Sequence, residues 1–294
     1  MANANTLALM VGGDLATKVS AQLADRNMPS ALLRRSAPQC AKNTTYQRIQ
    51  ADLLAPESLA AIPPGVSHLL YAVTPDARTE QGYLAAYVHG LRNLLNTLDI
   101  TKLQRAVFVS STAVYGANAD WVSEDTREAP EGFNGRVLLQ AEELFRTTLK
   151  EKAIILRLSG IYGPERNQLL QRLQRQAAPE IQTDQWTNRI HIDDATNACV
   201  HLLTLPQAAG IYIGTDNTPI PMSILYNELR RMLGVATMSS PPPSSVPRVG
   251  KRLSNRRLKE SGFQMKWPDS LQGYRAIIEQ CKTSRDTDQP AARS

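Results

Sequence analysis

Leu7-Ala8-Leu9-Met10-Val11-Gly12-Gly13-Asp14-Leu15-Ala16 is the stretch on which the fold turns. Its first five residues form a short apolar run of the kind a buried parallel strand shows, and the two glycines and the aspartate break it. From Thr17 to Arg26 apolar residues return at helical spacing, Val19 and Leu23 with Ala16 and Ala24 beside them. Ala31-Leu32-Leu33 reads as a second strand, and Ala51-Asp52-Leu53 ends a third. Strand, glycine turn, helix and strand in this order open a parallel α/β unit.

Glycines between a first strand and a first helix let the backbone turn tightly and let a pyrophosphate approach the main chain. The helix then offers its free N–H groups to the phosphates. Set against G-x-G-x-x-G, the stretch from Val11 keeps Gly13, has Ala16 at the last position and has Val11 at the first. The turn alone is a weak signal. The second strand adds to it, because it ends in Arg34-Arg35 where a site for NAD carries an acidic residue. A guanidinium there suits the 2′-phosphate of NADP and leaves NAD without its carboxylate. Two solvated arginines are the competing reading. The expected cofactor is therefore NADP, with NAD second, held by Gly12, Gly13, Asp14, Leu15, Arg34 and Arg35; a family resemblance carried by motifs further along the chain adds Asp52, Leu53, Ala72, Val73, Thr74 and Ser159.

The 294 residues are 42% hydrophobic, enough for one large α/β domain and a smaller companion. No run is long enough to span a bilayer, and Met1-Ala2-Asn3-Ala4-Asn5 carries no basic leader. Cys40, Cys199 and Cys281 are odd in number and widely spaced, which points to a reduced, cytoplasmic protein without disulfides or zinc spacing. The net charge of +6 allows anionic partners, nucleotides as well as nucleic acid. Further strands read at His68–Val73, Ala106–Ser110, Ala153–Leu158 and Gly210–Gly214. Helices read at Thr79–Leu98, Arg136–Lys150, Asn167–Ala177, Ala195–Leu203, Met222–Leu233 and Asp269–Gln280. Alternating strands and helices imply a parallel sheet with right-handed crossovers and a ligand site at the carboxyl ends of the strands. Ser239 to Pro247 reads as a proline-rich loop, and 283–294 as a disordered tail.

Three segments carry a resemblance. Ser110-Ser111-Thr112-Ala113-Val114-Tyr115-Gly116 is similar to the SSxxVYG segment of extended short-chain dehydrogenase/reductases. Leu156-Arg157-Leu158-Ser159-Gly160-Ile161-Tyr162-Gly163-Pro164 resembles their LRxxxIYGP strand end, and Ile190-His191-Ile192-Asp193-Asp194-Ala195 their IHVxDxA segment. The motifs stand in the family's order over most of the chain, with Asp52 at the position of the adenine-contacting aspartate. The nearest resemblance is to the atypical epimerase/dehydratase members. It implies a Rossmann-like doubly wound parallel sheet with a smaller C-terminal substrate-side domain. Residues 1–165, with 189–216 returning to them, would bind NADP; 166–188 and 217–282 would form the substrate side. Homodimers formed through two long helices are common in that family, and the oligomeric state of this chain stays open.

The chemistry of that family needs a tyrosine that moves a proton, a lysine four residues later that lowers its pKa, a serine that orients the substrate oxygen and a supporting asparagine. Ser111 stands at the serine position. The helix segment Asn134-Gly135-Arg136-Val137-Leu138 matches the family's YGRxK, which puts Asn134 in place of the tyrosine and Leu138 in place of the lysine. Tyr87 replaces the asparagine. An amide is no base near neutral pH, and a leucine neither lowers a neighbour's pKa nor donates to a ribose. Tyr87, Tyr115 and Tyr162 are the alternative proton carriers, with packing aromatics the favoured reading of all three.

Other chemistries find no support. There is no G-x-S-x-G elbow, no Walker loop and no paired histidine spacing for a metal. His191 and Asp194 read as a strand end and a helix cap. On the substrate side, Tyr115, Arg189, Arg248 and Arg252 are the candidates, the last two in a basic run that could grip a diphosphate or be a solvated face. Nucleic-acid binding lacks aromatic interleaving. Epimerases of this type place an arginine three residues before the isoleucine of the IHV segment. Here Thr187 stands there, and Arg189 is shifted by two, about 6–7 Å along a strand. The leading expectation is an NAD(P)-dependent epimerase/dehydratase-like oxidoreductase with a degenerate active site, acting on a small molecule such as a nucleotide sugar. The alternatives are a non-catalytic NADP-binding sensor or interaction module, or loss of nucleotide binding through the altered turn.

Overall fold

A computed structural model describes residues 7–36, 46–117, 120–175, 183–236 and 248–287, with side chains to 281. Cys40, the Ser239–Pro247 stretch and 288–294 lie outside them. Seven parallel strands form the main sheet: β1 (Leu7–Gly12), β2 (Ser30–Arg34), β3 (Gln47–Gln50), β4 (Val66–Ala72), β5 (Arg105–Ser111), β7 (Ala153–Leu158) and β11 (Gly210–Gly214), in the order β11-β7-β5-β4-β1-β2-β3. The order reverses direction at β1, between β4 and β2, which opens a crevice at the carboxyl ends there. Short pairs add β6 (Trp121–Val122) with β13 (Arg252–Leu253), β8 (Gly160–Tyr162) with β10 (Arg189–His191), and β9 (Trp186–Thr187) with β12 (Ile220–Pro221).

The sheet is buried on both faces, and β1 shows why its strand is apolar without alternation. Leu9 and Val11 pack into one core with the helices α2 (Glu80–Tyr83), α3 (Gly90–Thr97) and α4 (Phe133–Leu149). Ala8 and Met10 face the other, under α1 (Asp14–Asp25) and α6 (Ile192–Thr204). A third cluster joins Leu170 and Leu173 of α5 (Gln168–Gln174), Leu225 and Leu229 of α7 (Met222–Leu233), and Tyr274, Ile277 and Ile278 of α9 (Ser270–Thr287). A short α8 (Arg256–Glu260) precedes α9.

Several expectations change, among them the start of the helix read over Arg136–Lys150, which begins at Phe133. The helix read over Thr79–Leu98 is α2 and α3 joined by a wider π-helical turn, Leu84–His89. Thr79 caps it by accepting from Gly82 N, and Tyr71 donates to the Ala86 carbonyl at 2.5 Å within the turn. The helix read from Ala195 starts three residues earlier: His191 Nδ1 accepts from Asp193 N, and Asp194 lies inside the first turn, fully buried, accepting from Lys266 N and Trp267 N. It ties two segments together rather than opening the helix. The tail read from 283 is helical to Thr287, as the continuation of α9. Among the described residues no helix is long and apolar enough to cross a membrane, and no cluster of His, Cys, Asp or Glu is placed to hold a metal ion.

Candidate functional site

The crevice above β1 holds two chambers that share Gly13, Val73 and Thr74. The larger, of about 340 Å³, is walled by the ends of β2 and β3 and by the loop after β4, and includes Gly12, Arg34, Arg35, Asp52, Leu53, Asp76 and Ala86. The smaller, of about 290 Å³, runs toward β5 and β7 and is lined by Asp14, Leu15, Ala72, Tyr87, Ser110, Ser111, Ser159 and Arg166. All twelve residues expected to hold a dinucleotide thus line one continuous cleft.

The turn at its centre differs from the alignment made on sequence. Val11 is the buried last residue before the turn, in register with Leu33 and Tyr71. Gly12 does the turning: its φ is +139°, and a Cβ there would lie 2.1 Å from the Ala72 carbonyl oxygen. Gly12 therefore makes the tight turn that the fingerprint assigns to its first glycine. Gly13, at the cap of α1, has nothing within 4 Å of the place a Cβ would occupy. That open cradle in front of a twelve-residue helix suits a pyrophosphate.

Around the larger chamber the polar groups are anchored from below. Asp52 N donates to Ser58 Oγ, and an Asp52 carboxylate oxygen accepts from Leu54 N at 2.9 Å. Asn93 of α3 donates to the Leu53 carbonyl at 2.8 Å, which fixes the loop that carries Asp52. Arg35 forms a two-pronged pair with Asp76, at 2.5 and 2.7 Å. Through that hydrogen bond and the charge behind it, Arg35 is raised and Asp76 lowered from their ordinary pKa values. Asp76 was not singled out in the sequence; its only signal is that it stands just beyond the end of β4.

In the smaller chamber the hydroxyls of Ser111, Tyr87 and Ser159 gather. Ser111 Oγ accepts from Ala113 N at 3.2 Å, capping a 3₁₀ turn, Thr112–Tyr115. Tyr87 donates to the Val73 carbonyl at 3.3 Å, and burial pushes its phenol up to about 12. Ser159 is 8% exposed and its Oγ has no partner among the described residues, so a polar ligand group would satisfy it. Arg166 crosses from the end of β8 to Asp14 at the start of α1, 3.3 Å, and Lys18 lies 3.7 Å from the same carboxylate. Arg166 too was missed on sequence; it follows Gly163-Pro164 by two residues, a place the motif comparison left uninterpreted.

The expected catalytic helix does not reach this chamber. Leu138 is 3% exposed and part of the apolar core, and Asn134 lies in the first turn of α4, lining neither chamber. Tyr115, expected near a substrate, is fully buried and also lines neither. Its ring lies 4.8 Å beneath Arg157, and burial pushes its phenol up to about 12 despite that cation. Arg157, 1% exposed, holds Glu142 through two bonds of 3.1 and 2.6 Å and Glu128 at 2.7 Å; Ser110 donates to Glu142 at 2.6 Å. Of this network, Ser110 lines the smaller chamber.

The substrate-side arginines are not brought to the cleft together. Arg189 lies on β10 beside Gly160, with its Nη1 3.2 Å from where a Gly160 Cβ would stand. Arg248 pairs with Asp184 at 3.2 Å, and Arg252 with Asp120 at 3.0 Å. Arg252 also lies between the rings of Trp121 and Trp186, 5.0 and 5.2 Å from their centres. Both therefore carry carboxylate partners and stack on aromatic rings.

A profile of the NAD dependent epimerase/dehydratase family matches residues 11–213. Protein YeeZ of Escherichia coli K12 is 29% identical over 189 residues, 63% of this chain and 66% of YeeZ, so the match spans just under two thirds of that relative. A Methylobacillus flagellatus protein classed with the NAD-dependent epimerases/dehydratases has a solved structure 33% identical in sequence. The two superpose with a TM-score of 0.80 over 95% of this chain and 100% of that one. A short-chain dehydrogenase/reductase superfamily protein of Agrobacterium tumefaciens, solved with bound NAD, shares the fold: TM-score 0.75, 19% identity, 97% of this chain and all of that one.

Proposed function

This chain belongs to the NAD dependent epimerase/dehydratase family, and from that premise we propose that it is an NADP-preferring oxidoreductase of that type without the Tyr–Lys pair. The observation that carries the reading is the single cleft with a guanidinium at one end and three hydroxyls at the other. The amides at Gly13 and the start of α1 receive the pyrophosphate, Asp52 meets the adenosine, and Arg34 and Arg35 meet the 2′-phosphate. Bound there, the dinucleotide supplies hydride transfer. Ser111 orients a substrate oxygen, Tyr87 donates a proton, and Ser159 bonds the amide end of the cofactor. Because Tyr87 is neutral around pH 7, the site favours giving a proton to a forming alkoxide over taking one from an alcohol. The substrate is a small carbonyl compound, and nucleotide sugars are the first class to screen.

A second reading rests on the buried Leu138: a dinucleotide sensor that binds without turnover. The test is calorimetric titration with NADP, NADPH, NAD and NADH, followed by nicotinamide absorbance of the NADPH-loaded protein against a panel of keto sugars and nucleotide sugars. Preference for the phosphorylated forms with oxidation of NADPH supports the enzyme. Preference without oxidation supports the sensor, and no binding by any form removes both.

A further inference from the structure

The arginine that suits a 2′-phosphate already holds an anion of the protein's own. β2 and β4 both flank β1, so their carboxyl ends lie two strand spacings apart, about 9–10 Å. Arg35, just past β2, and Asp76, in the loop after β4, reach toward each other and close that gap over the end of β1 with two parallel bonds of 2.5 and 2.7 Å. Both line the larger chamber together with Gly12, Gly13 and Asp52. The loop bearing Asp76 has little freedom: Pro75 precedes it, and Gly82 approaches so closely that a Cβ there would lie 2.4 Å from the Ala77 carbonyl. The two side chains are 59% and 68% exposed, so the pair is a surface pair that costs little to open.

Resting on the cofactor reading above, we propose that Asp76 is a specificity-determining residue that occupies the 2′-phosphate's seat on Arg35. A carboxylate and a phosphate both present paired oxygens to a guanidinium fork, so one can replace the other with the same geometry. The phosphate carries about −1.5 to −2 charges near neutral pH against the carboxylate's one, which favours the exchange. Asp76, once displaced, remains tethered near the phosphate and repels it. A 2′-hydroxyl offers Arg35 no charge for which to leave Asp76, so NAD leaves the pair closed. Asp76 thereby sets how far the protein prefers the phosphorylated cofactor, and its presence lowers that preference.

The full-length protein and its Asp76→Asn and Asp76→Ala variants are titrated with 2′,5′-ADP against 5′-AMP, and with NADP against NAD. The two fragments differ by the 2′-phosphate and need no pyrophosphate cradle. The expected result is 2′,5′-ADP and NADP binding about 3- to 10-fold tighter to both variants, with 5′-AMP and NAD changed less than twofold. Weaker or unchanged binding of the phosphorylated ligands would overturn the proposal, since Asp76 would then position Arg35 or be a bystander. Equal gains for phosphorylated and plain ligands would overturn it as well. If the unaltered protein shows no preference but the variants do, the proposal holds and the NADP preference of the natural chain falls. If neither shows one, both fall. Asp76 lies at the surface, so thermal unfolding within about 1 °C of the parent checks that folding is intact.

Discussion

The larger chamber carries an ion pair at the surface, whereas the smaller one adjoins, through Ser110, an ion pair that is almost wholly buried. Arg35 and Asp76 are mostly exposed and, among the described residues, pair with each other. Arg157 and Glu142 are almost wholly enclosed and are joined by Ser110 and Glu128. An exposed pair is worth little and can exchange partners with a ligand. A buried pair cannot, because separating it strands a charge away from water. The larger chamber therefore carries charge that a ligand can reach. The network beside the smaller chamber instead holds its shape, behind a lining that combines Ser111, Tyr87 and Ser159 with the Arg166–Asp14 pair.

The comparison breaks most visibly at the buried pair. Arg157→Met is expected to cost about 3–5 kcal/mol of stability by leaving Glu142 buried and unpaired, read as a lower denaturant midpoint with an unchanged slope. A cost below about 1 kcal/mol would show that the network does not hold its shape in this way. Gly12→Ala comes next: its positive φ alone costs about 1–3 kcal/mol, and the contact with the Ala72 carbonyl adds to that. The folded variant should lose NAD and NADP binding alike, since the cradle is common to both.

Smaller effects separate the two ends. Arg35→Ala should weaken NADP by roughly 10- to 100-fold, as the loss of a hydrogen bond to a charged group, and leave NAD nearly unchanged. Arg166→Ala should weaken both by a few-fold, because its partner Asp14 would then face the pyrophosphate with Lys18 as its remaining described cation. The reverse pattern would exchange the assignments of the two ends. The smallest effect is in pH. With Tyr87 and Tyr115 both raised to about 12 by burial, neither phenol ionises between pH 6 and 9. NAD affinity and any turnover should show no limb from a tyrosine base in that window. NADP affinity should decline as pH falls below about 6, where the 2′-phosphate takes up its second proton. A turnover limb in the neutral range would place a proton carrier in the site that the described residues do not supply.

Much of this was legible in the chain itself. Leu7–Val11 and Ala153–Leu156 are apolar runs that two-sided burial demands, and the motifs around Ser111 and Tyr162 carried the family. Helix Met222–Leu233 appears with the bounds its periodicity gave. The π-helical turn at Leu84–His89 was not legible, because one extra residue in a turn leaves the apolar spacing nearly intact. Neither was the helical continuation of α9 to Thr287, whose composition is polar.

For the site, the sequence by itself determined which chemical groups exist: glycines before a helix, arginines after the second strand, and no tyrosine or lysine along α4. Those facts are local, and local residues settle them. Only the tertiary structure decided what each group faces. Gly12 acts as the turning glycine because Ala72 of a neighbouring strand lies against it. Arg248 and Arg252 are matched by Asp184 and Asp120, residues 64 and 132 positions away. Arg35 meets Asp76 across 41 residues. Electrostatic and steric partners are set by distance in space, and the folding of the sheet brings distant residues together.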